Sequence, residues 1–346
     1  MSLLKEATAK IGGLDKDKME EAQNRLDSLT KPPGSLGQLE DLVLKLAGIT
    51  GKLYPEVSDR RHILMAGDHG VVAEGVSAFP QEVTVQMVHN FLNGGAAVNV
   101  LAKQVGAEVM IVDIGVAEEI EAEELVVRKV KAGTDNLAKG PAMTRKEAKE
   151  SVEVGIELAE DLINQGADIL STGEMGIGNT TPSSAILAAV TGLDVEEVVG
   201  YGTGVDEEGL KKKQEVVEKS LELNNPDSKD GLDVLAKVGG LEIGGMAGVM
   251  LGAAANGKPV VVDGLISGAA ALIAKLLAPE AAYYMLPSHQ SKEPGHIKIY
   301  QELGLKPMLD LEMRLGEGTG ALLGMELVEA AVNIIEGMAT FEEAGI

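Results

Sequence analysis

The chain has no cysteine and no tryptophan, and only 3 phenylalanines and 5 tyrosines in 346 residues. Without thiols there are no disulfides, thiolate metal ligands or cysteine nucleophiles. With so few rings, a stacking platform for nucleic-acid bases is not expected. Basic side chains are also short: 30 Lys and Arg face 54 Asp and Glu, for a formal net charge of −24. Such a surface repels nucleic acid and anionic membrane. An anionic substrate would therefore need a locally positive site, supplied by backbone N–H groups and a few lysines. No apolar run has the length and purity of a membrane span. The opening "MSLLKEATAK" lacks the basic start and apolar middle of a signal peptide. A cytoplasmic protein is expected, with neither nucleic acid nor membrane as partner.

What is present is a globular composition, 45% hydrophobic, long enough for one large domain or a large and a small one. "RHILMAGDHG" (61–70) and "AEVMIVDIGV" (107–116) read as buried strands. "QEVTVQMVHNFLNGG" (81–95) and residues 144–166 read as helices stopped by glycine. Residues 167–192 read as strand, glycine loop and helix, and 258–278 repeat that order. Residues 281–291 read as strand then loop. In "KPPGSLGQLE" (31–40), Ser35 is the expected N-cap of a helix opening at Leu36. The alternation predicts an α/β fold, a mainly parallel sheet flanked by helices. Ligands of such sheets bind beyond the carboxyl ends of the strands, where the polar loops 67–70, 173–181, 263–268 and 288–296 fall. Both chain ends are helical and could pack together as a smaller subdomain.

"GEMGIGNTT" (173–181) follows a strand and opens a helix, and its amides and the Thr180 and Thr181 hydroxyls suit a phosphate or carboxylate. An ordinary turn with capping threonines would look the same. "GYGTGVD" (200–206) is a second glycine loop, before a helix carrying Lys211, Lys212 and Lys213. Neither matches the dinucleotide fingerprint. "GAAANGKP" (252–259) resembles a P-loop, but Pro259 replaces the hydroxyl residue and the glycines end a helix. His69 beside Asp68, and the histidines of "SHQSKEPGH" (288–296), read as hydrogen-bonding loop residues rather than metal ligands. No serine sits in a nucleophile elbow. Two glutamates remain in glycine settings, Glu174 and Glu317. A carboxylate walled by backbone and apolar groups can act as a base near neutral pH. An acid at a helix N-terminus needs no such role.

"KPPGSLGQLE", "AGDHGVVAEGVSAFPQEVT" (66–84), "GEMGIGNTTPSSAI" (173–186), "DVLAKVGG" (233–240), "VVDGLISGAAAL" (261–272), "PSHQSKEPGH" (287–296) and "RLGEGTGALL" (314–323) occur in this order. Together they resemble the nicotinate-nucleotide–dimethylbenzimidazole phosphoribosyltransferases, over about residues 10–340. The resemblance implies a Rossmann-like large domain over 60–305 and a small helical domain from 1–59 plus 306–346. It implies a homodimer that needs no metal or bound cofactor. The implied reaction moves 5-phosphoribose from nicotinate mononucleotide to a benzimidazole-type base, giving α-ribazole 5′-phosphate and nicotinate with inversion at C1′. The family's base falls on Glu317 and its second active-site glutamate on Glu174. Phosphate and nucleotide contacts are expected at Gly176, Gly178, Asn179, Thr180, Thr181, Gly202, Thr203, Gly204 and Lys213, with Asp263 and Ser291 near the same rim. The base slot is expected at Phe79, Pro80, Met87, Met175 and Leu315. Phe79 departs from the family's pattern, which has a small polar residue before that proline. The alternative reading is a non-catalytic sensor of a nucleotide or corrinoid.

Overall fold

The computed structural model describes residues 2–202 and 204–346. Six parallel strands form one sheet: β1 Arg60–Gly67, β2 Ala107–Gly115, β3 Val126–Val127, β4 Ile169–Met175, β5 Val260–Val262 and β6 Met285–Pro287. Their order, β3-β2-β1-β4-β5-β6, is that of a doubly wound fold, reversing direction between β1 and β4. Helices cover both faces, so the central strands are near-continuous apolar runs rather than alternating ones; seven of the eight residues of β1 are buried. The expected α/β class and parallel sheet are what the structure shows.

With so few aromatic rings, the core closes by small-residue contact. Helices Arg145–Asn164 and Leu241–Ala255 cross where glycine meets glycine. A Cβ on Gly155 would overlap the Gly245 carbonyl, and one on Gly248 the Val152 carbonyl. Every residue from Leu241 to Ala254 is buried, including Glu242. The chain ends meet on the other side. Helix Gln38–Thr50 packs on Lys16–Ser28 and on Thr319–Gly337, which also touches β4, β5 and helix Ala97–Val105. Leu29 and Thr340 form an isolated bridge. Helix Leu3–Lys10 instead lies on Arg145–Asn164 and Leu241–Ala255. Among the described residues no helix is long and apolar enough to cross a membrane.

Two local expectations are corrected. The helix expected from Leu36 begins at Gln38 after Gly37, and Ser35 does not cap it. Gly34 and Gly37 both hold positive φ, so the chain is still turning there. Glu40 reaches back to accept from the Leu36 N–H, and its carboxylate pairs with buried Lys31 at 2.9 Å. The strand expected from residue 281 starts only at Met285, because Pro279–Tyr284 is a 3-10 helix opened by proline. β5 has just three residues to pair with, so nothing is gained by a longer neighbour.

Candidate active site

A cavity of about 430 Å³ opens at the carboxyl ends of β4, β5 and β6. β4 delivers Glu174 and Met175 to its wall, β5 leads into Asp263, and β6 leads into His289 and Ser291. This is where a doubly wound sheet leaves room, since the loops beyond its strand ends diverge. Of the residues singled out in the sequence, Glu174, Glu317, Gly176, Asn179, Thr180, Gly202, Asp263 and Ser291 line the cavity. Phe79, Met87, Met175 and Leu315 line it as well and make its apolar part.

Glu317 occupies the most constrained stretch of backbone. Gly316, Glu317 and Gly318 hold φ of 86°, 61° and 84°, three left-handed residues in succession. Glycine adopts this freely, whereas a glutamate does so only where its surroundings enforce it. Three contacts enforce it here. The Glu317 N–H donates to Glu174 Oε1 at 3.3 Å, and its carbonyl accepts from His62 Nε2 at 3.0 Å. Its carboxylate Oε2 accepts from the Val98 N–H at 3.2 Å, in the first turn of helix Ala97–Val105. Gly173 leaves space for this loop, since a Cβ there would overlap the Glu317 carbonyl. Burial raises the Glu317 pKa and nearby Asp263 adds to it, while the Val98 N–H works the other way.

Glu174 is buried at the end of β4, and burial pushes its carboxyl up to about 8 despite the hydrogen bond from Asn179 Nδ2. Asp263 and Glu242 add repulsion. Asp263 is raised by burial too. It accepts from the Ala321 N–H at 3.0 Å and so fastens the start of helix Thr319–Gly337, just after Glu317. Four carboxylates thus face one cavity: Glu174, Asp263, Glu293 and Glu317.

The phosphate-type residues divide. Thr180 lines the cavity, and its Oγ1 accepts from Lys213 Nζ at 2.7 Å. An ammonium only donates, so the Thr180 O–H hydrogen remains available to a ligand. Lys213 itself is 1% exposed, behind Thr180, and burial pulls its pKa down to about 8. It does not reach the wall. Gly202 lines the cavity, but its N–H already donates to Glu293 Oε1, and the Asn179 N–H donates to the Gly176 carbonyl. Fewer amides are therefore free than the glycine content of these loops suggests. Gly178 stays off the wall: its φ is 88°, and a Cβ there would meet Val72. Thr181 is fully buried behind the loop, Gly204 is exposed and faces open space, and Pro80 is exposed at the turn into helix Val83–Leu92. Thr203 lies outside the described residues.

Among the lining residues that sequence reasoning misses, three carry titratable side chains: His289, Glu293 and Arg314. All lie inside the quoted motifs, so the signal is present, but a search for positive charge among lysines passes over an arginine. Arg314 is the one Lys or Arg on the wall among the described residues, and its Nη1 donates to the Gly202 carbonyl at 3.1 Å. His69 does not reach the cavity. It pairs with Glu242 at 2.8 Å, both side chains fully buried. Burial alone would lower its pKa, but the Glu242 carboxylate raises it overall. Among the described residues no group of three or more His, Cys, Asp or Glu could hold a metal ion.

A doubly wound sheet with buried carboxylates, a polarised hydroxyl and an apolar rim around one cavity defines an α/β enzyme acting on a small molecule. The particular family follows from comparison with known proteins. The chain belongs to the phosphoribosyltransferases, whose family model matches residues 11–346. A relative from Desulforamulus reducens, named nicotinate-nucleotide–dimethylbenzimidazole phosphoribosyltransferase, is 59% identical over 100% of this chain and 99% of its own. One of the same name from Chloroflexus aggregans is 56% identical, covering 100% and 98%. The crystal structure of a protein with that name from Thermus thermophilus superposes with TM-score 0.91 at 47% identity, over 96% of this chain and 99% of that one.

Proposed function

We propose that the chain transfers 5-phosphoribose from nicotinate mononucleotide to 5,6-dimethylbenzimidazole or a related base, in the assembly of the cobalamin nucleotide loop. One ring nitrogen of the base forms a bond to C1′ as the bond from C1′ to the pyridinium nitrogen breaks. The electron pair of that bond leaves with nicotinate, which departs neutral at its ring nitrogen and needs no general acid. The incoming base must lose the proton on its other ring nitrogen, and Glu317 takes it. The observation that carries this reading is the Glu317 loop: a carboxylate with raised pKa, locked in a left-handed backbone by three hydrogen bonds and facing the cavity. Such fixing supplies proximity and proton acceptance together.

Glu174 holds its proton below about pH 8 in the free cavity. A pyridinium arriving beside it favours the anion, which then stabilises the cationic ribosyl centre. The phosphate is assigned to the Thr180 hydroxyl with Lys213 behind it, and to Arg314. The base is assigned to the slot of Phe79, Met87, Met175 and Leu315. The reading includes a cytoplasmic homodimer, checked by sedimentation. It also includes a large unit over 60–305 and a helical unit from the two ends, supported by the packing of 16–50 on 319–337. Helix Leu3–Lys10 packs with the large unit instead. No observation favours the sensor, and the relatives carry the name of an enzyme.

The test is a competition. Nicotinate mononucleotide is supplied with equal dimethylbenzimidazole, benzimidazole, adenine and p-cresol, and products are identified by mass spectrometry. An α-ribazole-type product is expected. No ribosylated product from folded protein overturns the reading.

A further inference from the structure

His62 is fully buried in β1 and is not part of the cavity wall. No step of the proposed chemistry uses it. Its surroundings are nonetheless specific. The β1–β4 register sets it opposite Ser171, whose Oγ lies 2.8 Å from Nδ1. Its Nε2 lies 3.0 Å from the Glu317 carbonyl. A carbonyl only accepts, so Nε2 carries the hydrogen, and Nδ1 must then accept from the Ser171 hydroxyl. Burial holds the ring neutral, with its pKa lowered to about 4, so this tautomer persists across neutral pH.

Two glycines make room for the arrangement. A Cβ on Gly318 would overlap the His62 ring, and one on Gly173 would overlap the Glu317 carbonyl. The peptide following Glu317 runs into Gly318, and among the described residues the hydrogen bond from His62 is the one its carbonyl accepts. We propose that His62 is a positioning residue for the transfer: its Nε2–H holds the Glu317 carbonyl, and with it the left-handed backbone that aims the carboxylate, while Ser171 selects the tautomer able to donate. The proposal rests on reading Glu317 as the base. Loss of the bond lets the peptide turn and the carboxylate drift, and a displacement of about 1 Å in a catalytic group costs on the order of a hundredfold in rate.

The experiment compares the full-length wild type with His62→Leu, His62→Gln and Ser171→Ala. Turnover of nicotinate mononucleotide and dimethylbenzimidazole is followed, together with hydrogen exchange over residues 315–319. His62→Leu is expected to lower kcat roughly a hundredfold with KM for the mononucleotide within about threefold of wild type. His62→Gln, whose amide nitrogen stands where Nε2 was, is expected to recover at least about a tenth of wild-type kcat. Ser171→Ala should lose roughly fivefold, a modest effect because His62 keeps its place. Exchange should rise in His62→Leu and return in His62→Gln. The proposal is overturned by wild-type kcat in His62→Leu, or by His62→Gln being as slow as His62→Leu, which would make bulk rather than the donated bond the cause. If His62→Leu does not fold, Ser171→Ala decides, and unchanged kcat with unchanged exchange overturns the proposal. A wild type without turnover sinks the transferase reading, and exchange alone then decides whether His62 holds the loop.

Discussion

Glu174 and Glu317 line the same cavity, and both are pushed toward the protonated form by burial, yet they reach it by opposite routes. Glu174 extends a strand in ordinary geometry; its environment comes from depth, and its pKa rises to about 8. Glu317 stands on a loop with φ of 61° between two left-handed glycines, and its environment comes from three hydrogen bonds. One of those bonds joins the pair, from the Glu317 N–H to the Glu174 carboxylate. A strand end supplies a carboxylate whose charge responds to what enters the cavity. A strained loop supplies one whose direction is set beforehand, at a conformational cost of order 1–3 kcal/mol that the neighbouring contacts offset.

The sharpest way to separate the two is Glu317→Gln. It keeps the shape and removes proton acceptance, so kcat should fall by roughly a thousandfold while mononucleotide affinity stays within about threefold. Turnover near the wild-type rate would end the assignment of Glu317 as base. Next comes Gly173→Ala, which places a methyl where the Glu317 carbonyl lies. A loss of about a hundredfold in kcat is expected, with a destabilisation of roughly 1–3 kcal/mol in chemical denaturation from overpacking. An active, stable Gly173→Ala protein would show that the loop tolerates movement.

Glu174→Gln tests the other route. A neutral amide matches the protonated acid of the free cavity but cannot become the anion that the pyridinium favours, so roughly tenfold loss is expected, well short of Glu317→Gln. A loss equal to that of Glu317→Gln would mean that Glu174 works as the anion throughout. Stability gives a second reading. The folded protein keeps the Glu174 proton that the unfolded chain releases above its ordinary value of 4.5. Between about pH 5 and 8 the folded state binds more protons, so this group lowers stability as pH rises. The melting temperature of Glu174→Gln should therefore gain on wild type across that window.

The asymmetry between strand and loop also governs what could be read in advance. Apolar runs such as 60–67 and 107–115 announce strands, because a sheet covered on both faces needs little else. The parallel fold follows from such local pattern, and Glu174, expected in the loop after the strand, lies within β4, which runs on to Met175. Nothing local in "RLGEGTG" reveals that Glu317 is held by His62, some 255 residues earlier, or by Val98. The two flanking glycines signal an unusual backbone, and the motif resemblance names the residue, but the partners are tertiary. The same limit explains Lys213 and Arg314. A run of three lysines suggests a cation for an anionic ligand, yet helix phase buries Lys213 behind Thr180 and leaves Lys211 and Lys212 exposed. The cation on the wall is an arginine from the same motif as Glu317.

That placement sets a smaller prediction. With the phosphate on the Thr180 hydroxyl, as proposed, Lys213 would act on it only through that hydroxyl, so Lys213→Ala should weaken the mononucleotide roughly fivefold by calorimetry and leave the corresponding nucleoside unchanged. Equal losses for both would show that the Thr180 end of the cavity does not face the phosphate.

The smallest effect belongs to the rim, where neither depth nor strain operates. Phe79 is 50% exposed and Leu315 59%, both lining the cavity mouth. Their free surface is what an aromatic base would cover, and covering it adds affinity through burial and ring contact of roughly 1 kcal/mol for Phe79. Phe79→Ala should therefore raise KM for dimethylbenzimidazole about fivefold, and KM for the mononucleotide hardly at all. The shift should shrink for unsubstituted benzimidazole, which lacks the two methyl groups and so has less apolar surface to cover. If both substrates weaken together, the rim is shared by the mononucleotide and the base, and the division of the cavity into a polar end and an apolar slot is wrong.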